Sequence, residues 1–343
     1  MGPLPAVSYV MPVLNEADHI EAAVASLIAQ DYAGDFDVML ALGPSTDGTD
    51  AVVRRMQLAD PRIRTAPNEL GTTPEGLNIA IRATVNPIVV RVDAHSQLPT
   101  DYTRIAVETL LRTGAANVGG VMAAEGKTPF ETAVALAYGS RVGLGGTPHH
   151  VGGEEGPADT VYLGVFRRDR LEAAGLFDEN IRRGQDWELN RRLREQGDTV
   201  WFNPALRVTY RPRSSYSRLA RQFLSTGMWR GELARRYTSA NGLRYFVPPA
   251  MVLAVAVGLL LGLFGVVRLA LGHGSRWPLI GFAMPAVYVA FVVLATLLVA
   301  ARHGVRTATW FLLVLPCIHY CWGIGFFFGV AKLTRNIQAY TGR

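Results

Sequence analysis

The sequence is nearly without cysteine and nearly without lysine. Only Cys317 and Cys321 occur in 343 residues, and both fall inside an apolar run. That count excludes a disulfide-stapled secreted domain. Cys-x-His-x-Cys in a lipid-facing helix is a poor metal site, and both cysteines read as small apolar fillers. Lys127 and Lys332 are the only lysines, so the net charge of +6 rests on arginine. Many of those arginines lie between Arg167 and Arg244, just before an apolar last third. That placement suits an anionic membrane surface better than nucleic acid. No module with the interleaved aromatics of an RNA-binding domain is present, so no nucleic-acid partner is expected. Residues 1–6 lack the basic region and apolar core of a signal peptide, which leaves the soluble part expected in the cytoplasm.

Charge is missing altogether from residues 246–267 and 279–301, and 308–330 carries only His319. Each run exceeds the roughly 20 apolar residues needed to cross a bilayer, so three spans are expected. Pro248, Pro249, Pro285 and Pro316 are tolerated in such helices. Three spans put the basic tail outside if the soluble part is cytoplasmic, against the positive-inside preference. A re-entrant third segment would return it. The expected organisation is a soluble α/β domain over 1–213, a basic amphipathic helix and linker over 214–245, a membrane region over 246–330 and a basic tail over 331–343.

The soluble part is organised around Ile88-Val89-Val90-Arg91-Val92-Asp93-Ala94-His95. Its β-branched run, bounded by Pro87 and Pro99, predicts a strand buried on both faces. In an open parallel sheet ligands sit beyond the carboxyl ends of strands, where Asp93 and His95 fall. A carboxylate and an imidazole can share a divalent cation with a substrate phosphate. A helix cap plus a surface histidine explains the same three residues.

Strands are also predicted at 6–13, 36–42, 63–65, 118–122 and 160–166, with two short ones at 200–202 and 206–209. Asn15-Glu16-Ala17-Asp18 reads as a cap opening a helix with Ile20, Val24, Leu27 and Ile28 on one face. The loop 43–49, Gly-Pro-Ser-Thr-Asp-Gly-Thr, runs into another helix and puts backbone N–H groups where a phosphate fits. A plain N-cap by Ser45, Thr46 or Asp47 is an equally good local reading. Strand–helix alternation at this spacing predicts a doubly wound, mostly parallel sheet. Residues 139–157, with His149, His150, Glu154 and Glu155, are too irregular for an element and read as a functional loop or a flexible lid, where a metal site is conceivable. Gln185-Asp186-Trp187-Glu188-Leu189 opens a helix with Leu189 and Leu193 buried and Arg191, Arg192 and Arg194 exposed. A long helix at 216–237 sets Leu219, Phe223, Trp229 and Leu233 against five arginines. It fits the membrane interface or packing on its own domain equally well.

Four of these segments carry a resemblance: Pro12-Val13-Leu14-Asn15-Glu16, Ser45-Thr46-Asp47-Gly48-Thr49, Asp93-Ala94-His95 and Gln185-Asp186-Trp187-Glu188-Leu189. In this order they resemble the family 2 glycosyltransferases of GT-A (Rossmann-like) fold, most of all the membrane-anchored bacterial branch that includes the succinoglycan-type glucosyltransferases. The resemblance covers residues 6–240. It implies an inverting transfer from a nucleotide-diphosphate sugar to a lipid-linked or cell-envelope glycan acceptor, at the cytoplasmic face of a bacterial plasma membrane. It further implies that Pro12, Asn15, Glu16, Ser45, Asp47, Asn78 and Asp93 bind the donor. Asp93 and His95 would hold Mn²⁺ or Mg²⁺, with the imidazole favouring Mn²⁺, and Asp186 would be the general base. Leu42 stands where the family has an acid that contacts the nucleobase, so uridine as the donor base does not follow. Gln185 stands where an acid often precedes the base. The Gln-x-x-Arg-Trp motif of processive synthases is absent, which favours addition of a single sugar. Two alternatives remain open: a polyprenyl-phosphate acceptor, or a non-catalytic nucleotide-sugar-binding partner of another transferase.

Overall fold

The computed structural model describes residues 3–237, 242–272, 274–333 and 337. The chain divides into two compact units. The first runs to Ala123 and resumes over Gly146–Tyr210; the second comprises Ala124–Gly145 and the chain from Arg211 onward.

Eight strands form one sheet in the described residues: β1 (Val7–Val13), β2 (Phe36–Leu42), β3 (Ile63–Pro67), β4 (Ile88–Arg91), β5 (Asn117–Ala124), β6 (Gly156–Pro157), β7 (Tyr162–Arg167) and β8 (Val200–Tyr210). Their spatial order is β3-β2-β1-β4-β7-β5-β8-β6. The first four pair in parallel, so their carboxyl ends share one edge. β7 then joins β4 antiparallel and turns the rest of the sheet into a mixed extension. The apolar period explains the layering. Val7, Tyr9, Met11 and Val13 face one core with the helices Ile20–Ile28 and Tyr102–Thr113. Val10, Met39 and Val89 face the other, with Leu77 and Ile81 of Thr73–Arg82 and Leu189 and Leu193 of Gln185–Glu195. Alternate side chains of a strand point to opposite faces, and here both faces are covered.

Several local expectations are corrected. The first helix begins at Ile20 with no side-chain cap, because Asn15 and the backbone of Glu16 and Ala17 are bonded to the next loop instead. Residues 200–210 form one strand, not two. Pro204 is accommodated because β6 pairs only with Trp201 and Phe202, and Asn203 Oδ1 accepts the Ala205 N–H at 2.9 Å. The stretch 139–157 is not featureless: it holds the one-turn helices Arg141–Leu144 and Pro148–Val151, each ended by a glycine at positive φ (Gly145 at 80°, Gly152 at 79°). Arg191 and Arg192 are not free on the surface, their side chains being 12% and 22% exposed. Glu188 is buried in the same helix and draws both guanidinium groups onto itself.

In the second unit, three helices are long and apolar enough to cross a membrane: Leu243–Ala270, Trp277–His303 and Val305–Val330. They differ in what covers them. Only 6% of the most apolar window of the second is buried in the protein, against 50% for the third. The third helix owes its cover to the helices Pro129–Tyr138 and Tyr216–Arg236, on which it packs. Leu219, Phe223, Trp229 and Leu233 are buried in the process, so the arginine-rich helix packs within its own unit. Glycines let the two backbones touch. A Cβ added at Gly227 or Gly231 would collide with the carbonyl oxygens of Trp322 and Phe326, and one at Gly325 or Gly329 with those of Leu224 and Met228. Two Gly-x-x-x-Gly segments thus interlock, and the register shows the helices running parallel. His319 is the one basic side chain inside the third apolar run. Its Nε2 donates to the Val142 carbonyl at 2.8 Å, which leaves Nδ1 to accept from Tyr288 Oη at 3.1 Å.

Candidate functional site

The candidate site lies wholly in the first unit, at the carboxyl edge of β1, β2 and β4. β4 ends at Arg91, and the chain turns sharply at Asp93, whose carbonyl accepts the Ser96 N–H at 2.9 Å. Backbone hydrogen bonding to β1 continues one residue past the strand, from Val92 N–H to the Val10 carbonyl at 3.0 Å. Asp93 is therefore carried by the sheet itself.

Opposite stands Asp186, in the first turn of the helix Gln185–Glu195. Gly184 precedes it with φ 80°, a left-handed conformation that costs glycine nothing and lets the chain enter the helix abruptly. Trp187, Leu189 and Leu193 anchor that helix in the core. Glu188 and Arg192 add a clamp, Arg192 donating to the carbonyls of Ala174 and Leu176.

Between the two carboxylates sits Arg91, which sequence reasoning missed. Its side chain is 6% exposed; Nη2 donates to Asp93 Oδ1 at 2.9 Å, and Nη1 is ion-paired with Asp186 Oδ1. Burial opposes the charge on this guanidinium, but Asp186 and Asp93 outweigh it and keep the group firmly protonated. Burial also raises the Asp186 carboxyl above the usual carboxylate range, against the pull of Arg91. The Tyr162 phenol faces the same cluster; burial and the charge on Asp93 push its pKa far up, so it stays neutral. A charged residue inside a β-branched run was the available signal, since a buried guanidinium requires partners.

His95 meets Glu16 across the edge, Nδ1 to Oε1 at 3.2 Å. A carboxylate on one ring nitrogen is the arrangement that orients an imidazole to ligate through the other. Asp93 and His95 supply one oxygen and one nitrogen donor type, and no group of three His, Cys, Asp or Glu gathers among the described residues, the 139–157 stretch included. A two-donor set suits a divalent cation whose remaining positions are filled by substrate phosphate and water. The residues fit such an ion on those terms.

The loops after β1 and β2 are stitched together. Asn15, held at φ 54°, accepts the Thr46 N–H on Oδ1 at 2.8 Å and gives its own N–H to Ser45 Oγ at 3.0 Å. Asp47 accepts from Ala17 N–H at 3.0 Å and from both the N–H and hydroxyl of Thr49. Those bonds, the Thr49 hydroxyl first, hold the Asp47 carboxyl below its ordinary pKa. Ser45 and Asp47 thus fix the two loops to each other. Pro12 lies under Gly76, where an added Cβ would stand 2.9 Å from Pro12 Cβ. Leu42 closes the end of β2 and packs on the core. Asn78 is 2% exposed and spends its whole amide on the chain leading to Asp186: Oδ1 accepts Phe177 N–H at 3.0 Å, while Nδ2 donates to Phe177 O at 2.9 Å and to Glu179 at 2.8 Å. Asn78→Ala leaves two buried backbone groups of Phe177 unpaired and is expected to cost about 1–3 kcal/mol, read as a lowered thermal midpoint of the purified protein.

Comparison with known proteins gives the same answer from independent directions. The sequence model described as glycosyl transferase family 2 matches residues 8–173. The succinoglycan biosynthesis protein ExoA of Rhizobium meliloti is 32% identical over 256 residues, covering 74% of this chain and 77% of that protein. A dolichyl N-acetyl-alpha-D-glucosaminyl phosphate 3-beta-D-2,3-diacetamido-2,3-dideoxy-beta-D-glucuronosyltransferase of Methanococcus voltae is 25% identical over 239 residues, 67% of this chain and 74% of its own. Among solved structures, a mannosyltransferase from Pyrobaculum calidifontis, in complex with GDP-Man and Mn²⁺, superposes with a TM-score of 0.57. It is 21% identical, with 92% of this chain and 86% of that one covered, and so speaks for the fold. With the ordered motifs, the GT-A sheet and these relatives together, the chain belongs to family 2 of the glycosyltransferases.

Proposed function

We propose that the protein transfers one sugar, with inversion, from a nucleotide-diphosphate sugar to a lipid-linked or cell-envelope glycan at the cytoplasmic face of the membrane. The observation that carries this reading is the pair of carboxylates, Asp93 and Asp186, facing each other across Arg91 at the carboxyl edge of the sheet. Asp93 and His95 are the residues that would hold Mn²⁺ or Mg²⁺, and a cation bound there would offset charge on the departing diphosphate. Asn15, Glu16, Ser45 and Asp47 line the donor pocket, while Pro12 and the buried Asn78 support it from behind. Asp186 takes the proton from the acceptor hydroxyl as its oxygen attacks the anomeric carbon, while the diphosphate leaves from the opposite side. Burial raises the Asp186 pKa, which makes its ionised carboxylate a stronger base than an ordinary one. The dolichyl-phosphate relative supports an acceptor on a lipid carrier and the succinoglycan relative a role in glycan synthesis, and the three apolar helices support a membrane anchor. The neighbour with GDP-Man and Mn²⁺ supports the donor class and the metal.

The experiment is a donor panel. Full-length protein in detergent is incubated with UDP-, GDP- and dTDP-sugars, with Mn²⁺, Mg²⁺ or EDTA, with and without membrane lipid extract. Nucleotide release from one donor, stimulated by lipid and stopped by EDTA, is expected. Binding of a nucleotide with no turnover of any donor would replace the enzyme with a non-catalytic partner.

A further inference from the structure

We infer that Arg91 is a positioning residue which ties the base Asp186 to the donor-side carboxylate Asp93 and acts on the reaction through Asp186. The inference rests on the reading of Asp186 as base. Arg91 grows from the sheet, is almost wholly buried, and uses two different nitrogens of one planar group for two carboxylates. A guanidinium holds its donors in a rigid fork, so it sets the separation of its partners as well as their charge; an ammonium does not.

The two carboxylates depend on it unequally. Asp93 is fixed by backbone bonds at the strand end, through Val92 N–H and its own carbonyl. Asp186 follows a left-handed glycine at the end of the irregular stretch 178–184 and has no strand pairing to hold it. Loss of the fork therefore falls on the acceptor side of the reaction, on the placement of the base, and spares the donor side. The buried charge balance points the same way. Arg91 neutralises one of two facing carboxylates, and without a cation between them Asp186 and Asp93 would repel.

The test is a double-mutant cycle on full-length protein, combining Arg91→Lys with Asp186→Asn and reading residual turnover with radiolabelled donor sugar. Lysine keeps the positive charge and loses the fork. A misplacement of about 1 Å can cost about 100-fold in rate. The expected result is a kcat for Arg91→Lys lower by about 100-fold, with calorimetric affinity for the nucleoside diphosphate and donor KM within about threefold of wild type. In the Asp186→Asn background the same substitution is expected to change the residual rate by less than about threefold, since groups that act as a unit are non-additive. An equal loss in both backgrounds, or a loss confined to donor affinity, overturns the inference and leaves the base assignment standing. Wild-type transfer by Asp186→Asn alone overturns the reading beneath it. Arg91→Met strips a buried pair of its cation and is expected to unfold. Arg91→Met with Asp186→Asn removes one charge of each sign and is expected to fold and bind nucleotide, and failure to do so would make Arg91 a residue of the fold.

Discussion

Asp186→Asn is expected to lower sugar transfer by about 10²- to 10⁴-fold, the range over which a general base contributes, while donor binding and the fold are retained. The amide is nearly the same shape as the carboxylate, and its oxygen still accepts from Arg91. What it lacks is the capacity to take a proton from the acceptor hydroxyl. Two further readouts separate this from a folding defect. Burial raises the Asp186 pKa above the usual carboxylate range, and the base must be ionised to act. The acidic limb of kcat/KM against pH is therefore expected above that range, with activity falling as pH drops through the raised value and the limb absent from the residual activity of the variant. Stability moves in the other direction. A carboxyl whose pKa is higher folded than unfolded binds its proton better in the native state, so its ionisation weakens the fold as pH rises through the interval between the two values. At neutral pH the Asn variant is accordingly expected to melt at or above the wild-type temperature, as measured by differential scanning fluorimetry. A melt well below wild type, or transfer at the wild-type rate, would sink the assignment.

Gly329→Leu carries the other large effect, on stability. An added Cβ meets the Met228 carbonyl oxygen and lies 2.9 Å from the Glu232 nitrogen. Both are backbone atoms of a helix, with no rotamer to retreat into. Relief requires the helices Tyr216–Arg236 and Val305–Val330 to separate along the whole seam, because Gly227, Gly231 and Gly325 depend on the same approach. Overpacking of a fitted core costs about 1–3 kcal/mol where side chains absorb it; here about 3 kcal/mol or more is expected. The measurement is the thermal midpoint in detergent, together with protease cleavage around Arg235 and Arg236, which the loosened helix exposes. Gly156→Ala is the control, since nothing lies within 4 Å of its added Cβ. An unchanged midpoint for Gly329→Leu would mean that the two helices do not pack through their glycines.

Much of this was legible in the sequence, and particular residues show why the rest was not. The run from Ile88 to His95 announced a two-face-buried strand, and the alternation around it announced the parallel half of the sheet. Turning points were harder. The cap expected at 15–18 fails because Asn15 bonds Ser45 and Thr46, partners that only the sheet order brings near. Arg91 stood in plain view, but its worth lies in reaching Asp186, and no local pattern reports a contact between one strand end and a distant helix turn. Nor does periodicity show that the arginines at 191 and 192 fold back on a buried Glu188. The glycines at 227, 231, 325 and 329 repeat at helical spacing, yet spacing alone does not say that these two segments face each other or run the same way.

That parallel seam bears on how the chain is made. The helix Tyr216–Arg236 leaves the ribosome well before Val305–Val330, the helix its glycines press against, exists. Phe223 can meet Tyr138 early, their rings 5.6 Å apart in the finished fold, but its contact with Trp322 must wait for the later helix. The seam of the second unit therefore closes late: the helix Tyr216–Arg236 waits for Val305–Val330 before the glycines can interlock.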